Sequence, residues 1–384
     1  MRDAGPRRGG ALGWGSWLVA GLLLAAAIGP FAAPYDPDEQ LDPEAAGLRP
    51  PGTVLAAVHL ADGGWRLADR ARRVPGGIEI LRLGRWERLD ASRVVNLRGL
   101  GGPGGPGGPG ALGGPRDARG GRGSGAEVVA DRRVFLLGSD TFGRDVATRM
   151  LYGARISLAV GVLSVLLALT LGVALGSLAA TGGPLADTLI MRAVDALLAF
   201  PWLFLMTALA ALLSPGTPAT IAILGATGWM SICRLTRAEL RSLQRREFIL
   251  AARAIGQRPL TVLLRHLLPN AMTPVLVQAT LQIGNLILLE STLSFLGMGI
   301  QPPTPSWGAM IADAHQAPLD TWWLAVFPGA ALALTVIAFN LLGDELRDAL
   351  DPRWRGPELA RLPMPVLPDD DPEACVPPAR LPTS

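Results

Sequence analysis

Long runs of apolar residues, separated by shorter polar segments, dominate most of this chain. Six of these runs are near or above the ~20 residues that a helix needs to cross a bilayer. They lie at 14–33, 156–180, 189–213, 217–235, 271–298 and 322–343. The pattern predicts an all-α integral membrane protein with six transmembrane helices. The first run can also be interpreted as a cleaved signal peptide. Arg2, Arg7 and Arg8 precede it, and small residues come after its apolar core, as in such signals.

The arginines predict which polar segments face the cytoplasm. Most of the basic residues near the membrane follow the fourth run. They are Arg234, Arg237, Arg241, Arg245, Arg246, Arg253, Arg258 and Arg265, whereas the connections at 214–217 and 299–321 contain no arginine. Cytoplasmic loops carry an excess of basic residues. We therefore expect the amino terminus (1–13), the segment 236–270 and the tail (355–384) inside the cell.

The long loop at 34–137 is expected outside the cell despite its many arginines, because loops longer than about 60 residues translocate largely regardless of charge. Within it, residues 53–98 contain short apolar runs broken by the turn sequences DGG and PGG, which predicts a small insert of β-hairpins. Residues 99–125 are rich in Gly and Pro and predict an unstructured linker. The tail at 355–384 is Pro-rich with three consecutive aspartates, and we expect it to be disordered.

The composition excludes several kinds of chemistry. All 35 basic residues are arginine, so the chain has neither the lysine of a phosphate-binding loop nor an amine for a Schiff base. A net charge of only +3 and the lack of interleaved basic and aromatic residues argue against nucleic-acid binding. Cys233, Cys375 and three scattered histidines make no metal-binding pattern. We expect no cofactor, no metal and no covalent catalysis.

The segment 236–270 is too basic for the membrane, because each arginine at the centre of a spanning helix costs about 2.5–3.5 kcal/mol. Its apolar residues nevertheless recur at helical spacing, which predicts a short amphipathic helix. They are Phe248, Ile249, Ala252 and Ile255. Gly256 then supplies a break, and Pro259 opens a second helix (259–268) that ends before Pro269. Such a helix lies either on lipid headgroups or in a groove of a cytoplasmic partner.

This stretch resembles the cytoplasmic loop of ABC-importer permeases, which reads Glu-Ala-Ala, three residues, Gly, nine residues, and then Ile-x-Leu-Pro. The chain keeps that spacing. The matching residues are Leu250, Ala251, Ala252, Gly256, His266, Leu267, Leu268 and Pro269. Leu250 stands where the family has Glu, and His266 where it has Ile. The form RHLLPN resembles the dipeptide/oligopeptide (peptide/nickel) branch and its second, C-type permease.

Four further segments resemble the same branch. They are GSDTFGRDVATRMLYGARISL (138–158), RAVDALLAFP (192–201), ESTLSFLGMGIQPPTPSWGAM (290–310) and FNLLGDELRDALDPR (339–353). The resemblance covers 138–354 and, more loosely, the first run. It implies a transmembrane core of the MetI-like permease type. Residues 49–135 lie outside the usual length of the family and have no assigned role.

The resemblance also implies partners. Such a permease works in the bacterial inner membrane with a second permease, two cytoplasmic ABC ATPases and an extracytoplasmic substrate-binding protein, all surrounded by membrane lipid. The helix at 247–258 would carry ATPase movements to the spans. The residues implied in ATPase contact are Glu247, Leu250, Ala251, Ala252, Arg253, Gly256, Leu268 and Pro269. Small residues allow close approach, and an acid is favourable at a helix start.

Glu290 is a separate candidate, because it lies inside the fifth apolar run. An acid within the membrane is costly and is therefore a functional candidate by default. The alternative is a protonated or hydrogen-bonded packing residue that faces the second permease. Sequence alone leaves both interpretations open.

Three features of the predicted spans concern how helices meet. Asp195 and Arg192 have the spacing of an ion pair on one helix surface. Pro201 is placed to kink the third span where a pathway needs a bend. Gly172 and Gly176 in the second span predict close contact with a neighbouring helix.

The function that the resemblance implies is that of a permease subunit in an ATP-driven importer of dipeptides, oligopeptides or similar small solutes. It would work by alternating access and have no enzymatic activity of its own. The alternative is a proton-coupled secondary transporter that uses Glu290 or Asp195. The chain has no internal repeat with paired broken helices, which is common in such carriers. A third class is a membrane scaffold whose extracytoplasmic lobe binds a partner, but the segment 236–270 would have little purpose in such a protein.

Overall fold

A computed structural model describes residues 13–40, 42–60, 65–75, 77–90, 94 and 131–350. The predicted linker (99–125), the predicted disordered tail (355–384) and all of the amino-terminal segment except Gly13 lie outside these residues.

Within these described residues, five single helices are long and apolar enough to cross a membrane. They are α1 (Trp14–Ala32), α3 (Val146–Thr181), α6 (Thr217–Leu243), α9 (Leu268–Phe295) and α11 (Trp323–Leu350). A bent pair, α4 (Gly183–Ala199) and α5 (Trp202–Leu212), makes a sixth crossing if the two count as one. The predicted helical membrane protein is confirmed, and it has the predicted six spans if the bent pair is counted as one span. The remaining α-helices of the described ranges are α2 (Pro43–Ala46), α7 (Glu247–Ala254), α8 (Pro259–Val262) and α10 (Trp307–His315).

Several spans extend beyond their predicted limits, because hydropathy marks only the part of a helix that lies in lipid. Helix α3 begins ten residues before the predicted 156–180 span, where the Asp145 carboxylate caps it by accepting a hydrogen bond from the Thr148 amide at 2.7 Å. Helix α6 continues from 235 to Leu243 through two arginines, Arg237 and Arg241. Helix α11 continues in the same way from 343 to Leu350.

The third predicted span, 189–213, is wrong as a single helix. Helices α4 and α5 meet at 96°, so Pro201 marks a complete break rather than a kink. The residue before a proline is driven out of the helical region by the proline ring. Phe200 accordingly adopts an extended backbone, with φ −72° and ψ 137°.

The carboxylate of Glu345 in α11 caps the start of α1. The amides of Gly15 and Ser16 donate to it at 2.7 and 2.9 Å, and the Ser16 hydroxyl donates at 2.6 Å. These amides have no partner within α1, and the positive end of the helix dipole favours an anion. The bond therefore holds the first helix against the last one.

Small residues bring α3 and α6 together, as predicted for Gly172 and Gly176. A Cβ on Gly172 would lie 2.7 Å from the side chain of Ile232, and one on Gly176 would lie 2.7 Å from the Cys233 carbonyl oxygen. Any larger residue at either position would push the two helices apart. Close contact at this pair is confirmed.

The insert forms two three-stranded antiparallel sheets, which together with α2 we call the β-lobe (42–60, 65–75, 77–90 and 131–135). Sheet 1 has the order β2 (Trp65–Ala68), β1 (Thr53–His59), β6 (Asp131–Phe135), and sheet 2 has the order β3 (Arg70–Val74), β4 (Gly77–Arg82), β5 (Arg85–Asp90). The predicted hairpins are confirmed. The sequence did not predict β6, which follows the predicted linker and returns to pair with β1.

The β-lobe is layered around sheet 1. Leu55, Leu67 and Phe135 pack on the alanines of α2 from one face of this sheet. Val58 and Ala68 pack from the other face on the inner side of sheet 2. The second face of sheet 2 carries only exposed or half-buried side chains.

Candidate functional site

The helical hairpin (residues 247–269) turns at Gly256. The amide of Gly256 donates to the carbonyl of Arg253 at 3.0 Å, and the amide of Gln257 donates to the carbonyl of Ala252 at 3.2 Å. This closure of a helix end requires a left-handed residue, and Gly256 has φ +79°. Pro259 then opens α8 at a position where no helical amide bond is needed. The predicted break at Gly256 is confirmed.

One side of α7 packs against the transmembrane bundle. Ile249 and Ala252 are buried in a cluster that includes Leu240 of α6 and Ala271 of α9. Ala252 therefore faces the bundle and not a partner, which corrects its predicted role in ATPase contact. The predicted apolar ridge is split, because Phe248 and Ile255 are exposed at the edge of the buried stripe.

The opposite side of α7 is open, and we call it the α7 outer face (Glu247, Leu250, Ala251 and Ala254). At about 100° per residue these four side chains centre on the direction away from the bundle, and all four are exposed. Phe248 and Ile255 flank this face on one side and Arg253 flanks it on the other. Three of the residues predicted for ATPase contact thus share one accessible surface.

The second arm of the hairpin continues through Pro269, which corrects its predicted end. Helix α8 leads through a π-helical turn (Leu263–Leu267) into α9, and the amide of Leu268 bonds to the carbonyl of Leu263. In a regular α-helix the ring of Pro269 would clash with the carbonyl four residues earlier. The wider π-helical turn accommodates the proline, so the helix does not end.

His266 connects the two arms of the hairpin. Its Nε2 lies 3.0 Å from Oε1 of Gln257, and the side-chain amide of Asn270 donates to the His266 carbonyl at 2.6 Å. An isoleucine, which the family pattern has at this position, could not make the first contact. Leu268 and Pro269 lie at the base of the hairpin, half-buried and exposed respectively.

The predicted ion pair between Asp195 and Arg192 is wrong. The carboxylate of Asp195 accepts a hydrogen bond from Arg234 of α6 at 2.6 Å. One turn away on the same helix, Arg237 and Arg241 both bind Asp187. Because α4 lies beside the basic end of α6, a partner across the helices satisfies each acid of α4.

Glu290 is fully buried within this chain. Its Oε1 accepts hydrogen bonds from Ser294 at 2.8 Å and Ser306 at 3.1 Å, while Oε2 lies 3.5 Å from the hydroxyls of Ser157 and Ser291. The serines come from α9, α3 and the loop before α10, so they join three elements. This serine cluster around Glu290 fits the packing interpretation. Its partners belong to this chain, however, and not to a second permease.

A buried charge network lies at the amino-terminal end of α3 and was not predicted from the sequence. Arg144 bonds to Asp140 at 2.6 Å and reaches Asp313 of α10 at 3.5 Å, and Arg149 lies 3.7 Å from Asp140. Burial raises the pKa of the Asp313 carboxyl, and the two arginines oppose that rise. Three of the residues fall in the segment 138–158, which carried a family resemblance but gave no sign of their common burial.

These features define a class: a helical, multi-pass membrane subunit with an accessible helical hairpin. Among its described residues, no three His, Cys, Asp or Glu side chains are placed to share a metal ion. Residues 172–356 match the family described as binding-protein-dependent transport system inner membrane component. The chain belongs to this family, whose members are permease subunits of bacterial ABC importers in the inner membrane, with ATP hydrolysis on separate subunits.

Similar proteins include two with named substrates. The chain is 43% identical over 221 residues to the di/tripeptide transport system permease protein DppC of Pseudomonas aeruginosa (strain UCBPP-PA14), covering 58% of this chain and 73% of that protein. It is 42% identical over 220 residues to the dipeptide transport system permease protein DppC of Bacillus subtilis (strain 168), covering 57% and 69%. A solved structure of the MetNI methionine ABC transporter aligns with TM-score 0.46 and 19% identity over 53% of this chain and 96% of that one. The resemblance to the C-type permeases of peptide importers is confirmed.

Proposed function

We propose that this chain forms one half of a pore that imports short peptides, driven by ATP hydrolysis on two partner ATPases. The di- and tripeptides named for its relatives support this substrate class. In this proposal a second permease supplies the other half of the pore. The helical hairpin faces the cytoplasm, in agreement with its arginines. The β-lobe then faces the binding protein outside.

The observation that carries the proposal is the α7 outer face. Two alanines and a leucine are exposed there beside the charged side chains of Glu247 and Arg253. The small side chains allow close approach of a partner, and the two charges fix its orientation. On the other side of the same helix, Ile249 is fully buried against the bundle. A push on the outer face is therefore passed directly to the transmembrane helices.

ATP can shift the permease between two conformations only if the ATPases bind them with different affinity. Contact at the α7 outer face supplies this difference in our proposal. Helix α7 packs on Leu240 of α6 and Ala271 of α9, and α6 packs closely on α3 at Gly172. Because these contacts are tight, the helices would respond as a connected body and alternate the access of the pore.

The test is Ala251→Trp in the complete transporter, reconstituted in liposomes with its ATPases, second permease and binding protein. The indole would keep the partner surface away from α7, and we expect dipeptide uptake to fall at least about tenfold, which corresponds to a loss of about 1.4 kcal/mol. The control is Leu319→Trp, because Leu319 is fully exposed between α10 and α11. Uptake by Ala251→Trp equal to that of the control would contradict the coupling role.

A further inference from the structure

The exposed face of sheet 2 is unlike the rest of the β-lobe. Register places Arg70, Leu81 and Trp86 in one cross-strand row and Arg72, Glu79 and Arg88 in the next. We call these six residues the sheet 2 outer face. The other sheet faces of the β-lobe pack on α2 or on each other. Nothing in the described part of the chain covers this one.

The side chains of the sheet 2 outer face are held in place but still accessible. The guanidinium of Arg72 stacks 4.2 Å from the Trp86 ring centroid and pairs with Glu79 at 2.6 Å. Arg88 donates to a backbone carbonyl at 2.7 Å. Arg70 is exposed and has no ion pair with any described residue. Trp86 remains 45% exposed, so the face presents an ordered aromatic ring among arginines, the composition most enriched at binding hot spots.

The turn beside this face carries backbone strain that stability does not explain. Leu83 and Gly84 form the two-residue connection between β4 and β5, and both have positive φ, +50° and +76°. Such turns favour Asn-Gly, whereas a leucine is disfavoured in a left-handed conformation. Leu83 is also 59% exposed, so it gains little from burial. Strain of this kind at an accessible site is a reason to look for a binding role.

We propose that the sheet 2 outer face and Leu83 form a docking surface for the extracytoplasmic substrate-binding protein, which would offer carboxylates to Arg70 and Arg88 and an apolar recess to Trp86 and Leu83. This inference rests on the proposed function, because that function places the β-lobe outside the cell. It assigns a role to an insert that lies outside the matched family region, residues 172–356.

The charges of the face favour a protein over a lipid surface. Anionic headgroups attract clusters of basic residues, but Glu79 lies between Arg72 and Arg88 and Asp90 follows on the same face. With three arginines against two carboxylates, the face has little net charge to attract a uniformly anionic surface. Alternating charges instead fit a protein surface that has its own pattern of charges. The rigid indole adds contact area at little cost in side-chain entropy.

The test uses the complete transporter in nanodiscs of neutral phosphatidylcholine and measures the Kd of its binding protein by biolayer interferometry. We expect Trp86→Ala and Arg70→Glu each to weaken binding by about tenfold or more. The control is Arg132→Glu, an exposed arginine of β6 in the other sheet. It should stay within about twofold of the native Kd, because it lies outside the sheet 2 outer face and makes the same change of charge.

A third variant separates binding from folding. Leu83→Asn creates the favoured Asn-Gly turn, so amide hydrogen exchange in the β4–β5 hairpin should slow by about fivefold. Binding should weaken nevertheless, because the apolar tip is lost. A merely structural role for Leu83 would not combine a more stable hairpin with weaker binding.

The outcomes separate this inference from the proposed function. If the native complex neither binds the binding protein nor hydrolyses ATP, the proposed function fails. If the native complex does both, and Trp86→Ala and Arg70→Glu bind like Arg132→Glu, only the docking surface is refuted. It is refuted as well if these variants act only in nanodiscs that contain phosphatidylglycerol, which would indicate lipid contact. The docking surface is also refuted if Trp86→Ala leaves the Kd of the binding protein unchanged but prevents two transporter complexes from associating. That result would indicate that the face binds a second copy of this chain.

Discussion

At the scale of single residues, two glycines of this chain are required for opposite reasons. A Cβ on Gly256 would meet nothing within 4 Å, but the residue has φ +79°. Gly172 lies inside a regular helix, but a Cβ there would lie 2.7 Å from the side chain of Ile232. At Gly256 a larger side chain would fit, but the residue must adopt a left-handed backbone conformation. At Gly172 the backbone is an ordinary helix, but there is no room for a side chain.

Substitutions at Gly256 should therefore follow conformational preference and not volume. Asparagine adopts the left-handed region readily, whereas alanine and valine pay about 1–2 kcal/mol to do so. We expect substrate-stimulated ATP hydrolysis in proteoliposomes to fall in the order native, Gly256→Asn, Gly256→Ala, Gly256→Val. Equal activity of the Asn and Val variants would show that the turn is not required in this form.

Glu290 should behave as a packing residue. Glutamine retains the shape of the side chain and can bond to the same serines, so we expect Glu290→Gln to keep dipeptide uptake within about twofold of native. Glu290→Ala leaves buried hydroxyls such as those of Ser294 and Ser306 without their acceptor, and it should destabilise the protein by roughly 2 kcal/mol or more. Thermal unfolding in detergent measures that loss. A Gln variant without uptake would support the proton-coupled alternative.

At the scale of elements, the sequence predicted where apolar helices occur, because burial in lipid needs long apolar runs. It also predicted the turn at Gly256 and the contact at Gly172, since glycine has specific backbone and size properties. It did not predict that Pro201 breaks a span by 96° or that Pro269 is absorbed by a π-helical turn. The local effect of proline is the same at both sites, and only packing around each one decides between a break and a continued helix.

Helix α7 offers a test of the departure from the family pattern at Leu250. Leu250→Glu places an acid within one turn of Arg246 and Arg253, and each such pair adds about 0.2–0.5 kcal/mol to a helix. We expect α7 amides to exchange about twofold more slowly, with uptake equal to native or higher. Leu250→Gln serves as the uncharged control. A fall in uptake of the Glu variant beyond about tenfold would show that the partner needs an apolar contact here.

At the scale of the whole molecule, the two ends of the bundle are held together differently. Near the β-lobe, Asp140, Arg144 and Arg149 are almost fully buried in one network, and breaking a buried pair costs several kcal/mol. Near the helical hairpin, the pair between Asp195 and Arg234 is about half exposed, and exposed pairs contribute only about 0–1 kcal/mol. Asp187 and Arg237, one turn nearer the hairpin, are only 14% and 26% exposed, so among these contacts the Asp195–Arg234 pair is the easiest to rearrange.

The orientation of the bundle can be tested with single cysteines after Cys233 and Cys375 are replaced. Ala254→Cys lies on the α7 outer face and Leu319→Cys at the opposite end. We expect an impermeant maleimide added to intact cells to label only Leu319→Cys, because the arginines around α7 retain it inside. Permeabilised cells provide the control for reactivity at Ala254→Cys. Labelling of Ala254→Cys from outside would show that the opposite topology is correct and that the α7 outer face cannot contact a cytoplasmic ATPase.

The break at Pro201 has a consequence for the life of this chain in the cell. The last carbonyls of α4 have no helical partner, and acyl chains offer them no hydrogen bonds. Phe200 and Trp202, on either side of the break, are 63% and 51% exposed. If the second permease of the proposed function covers this corner, a copy of this chain made without it would present an unsolvated backbone to the bilayer. The chain should then accumulate to a lower level when the second permease is not made with it.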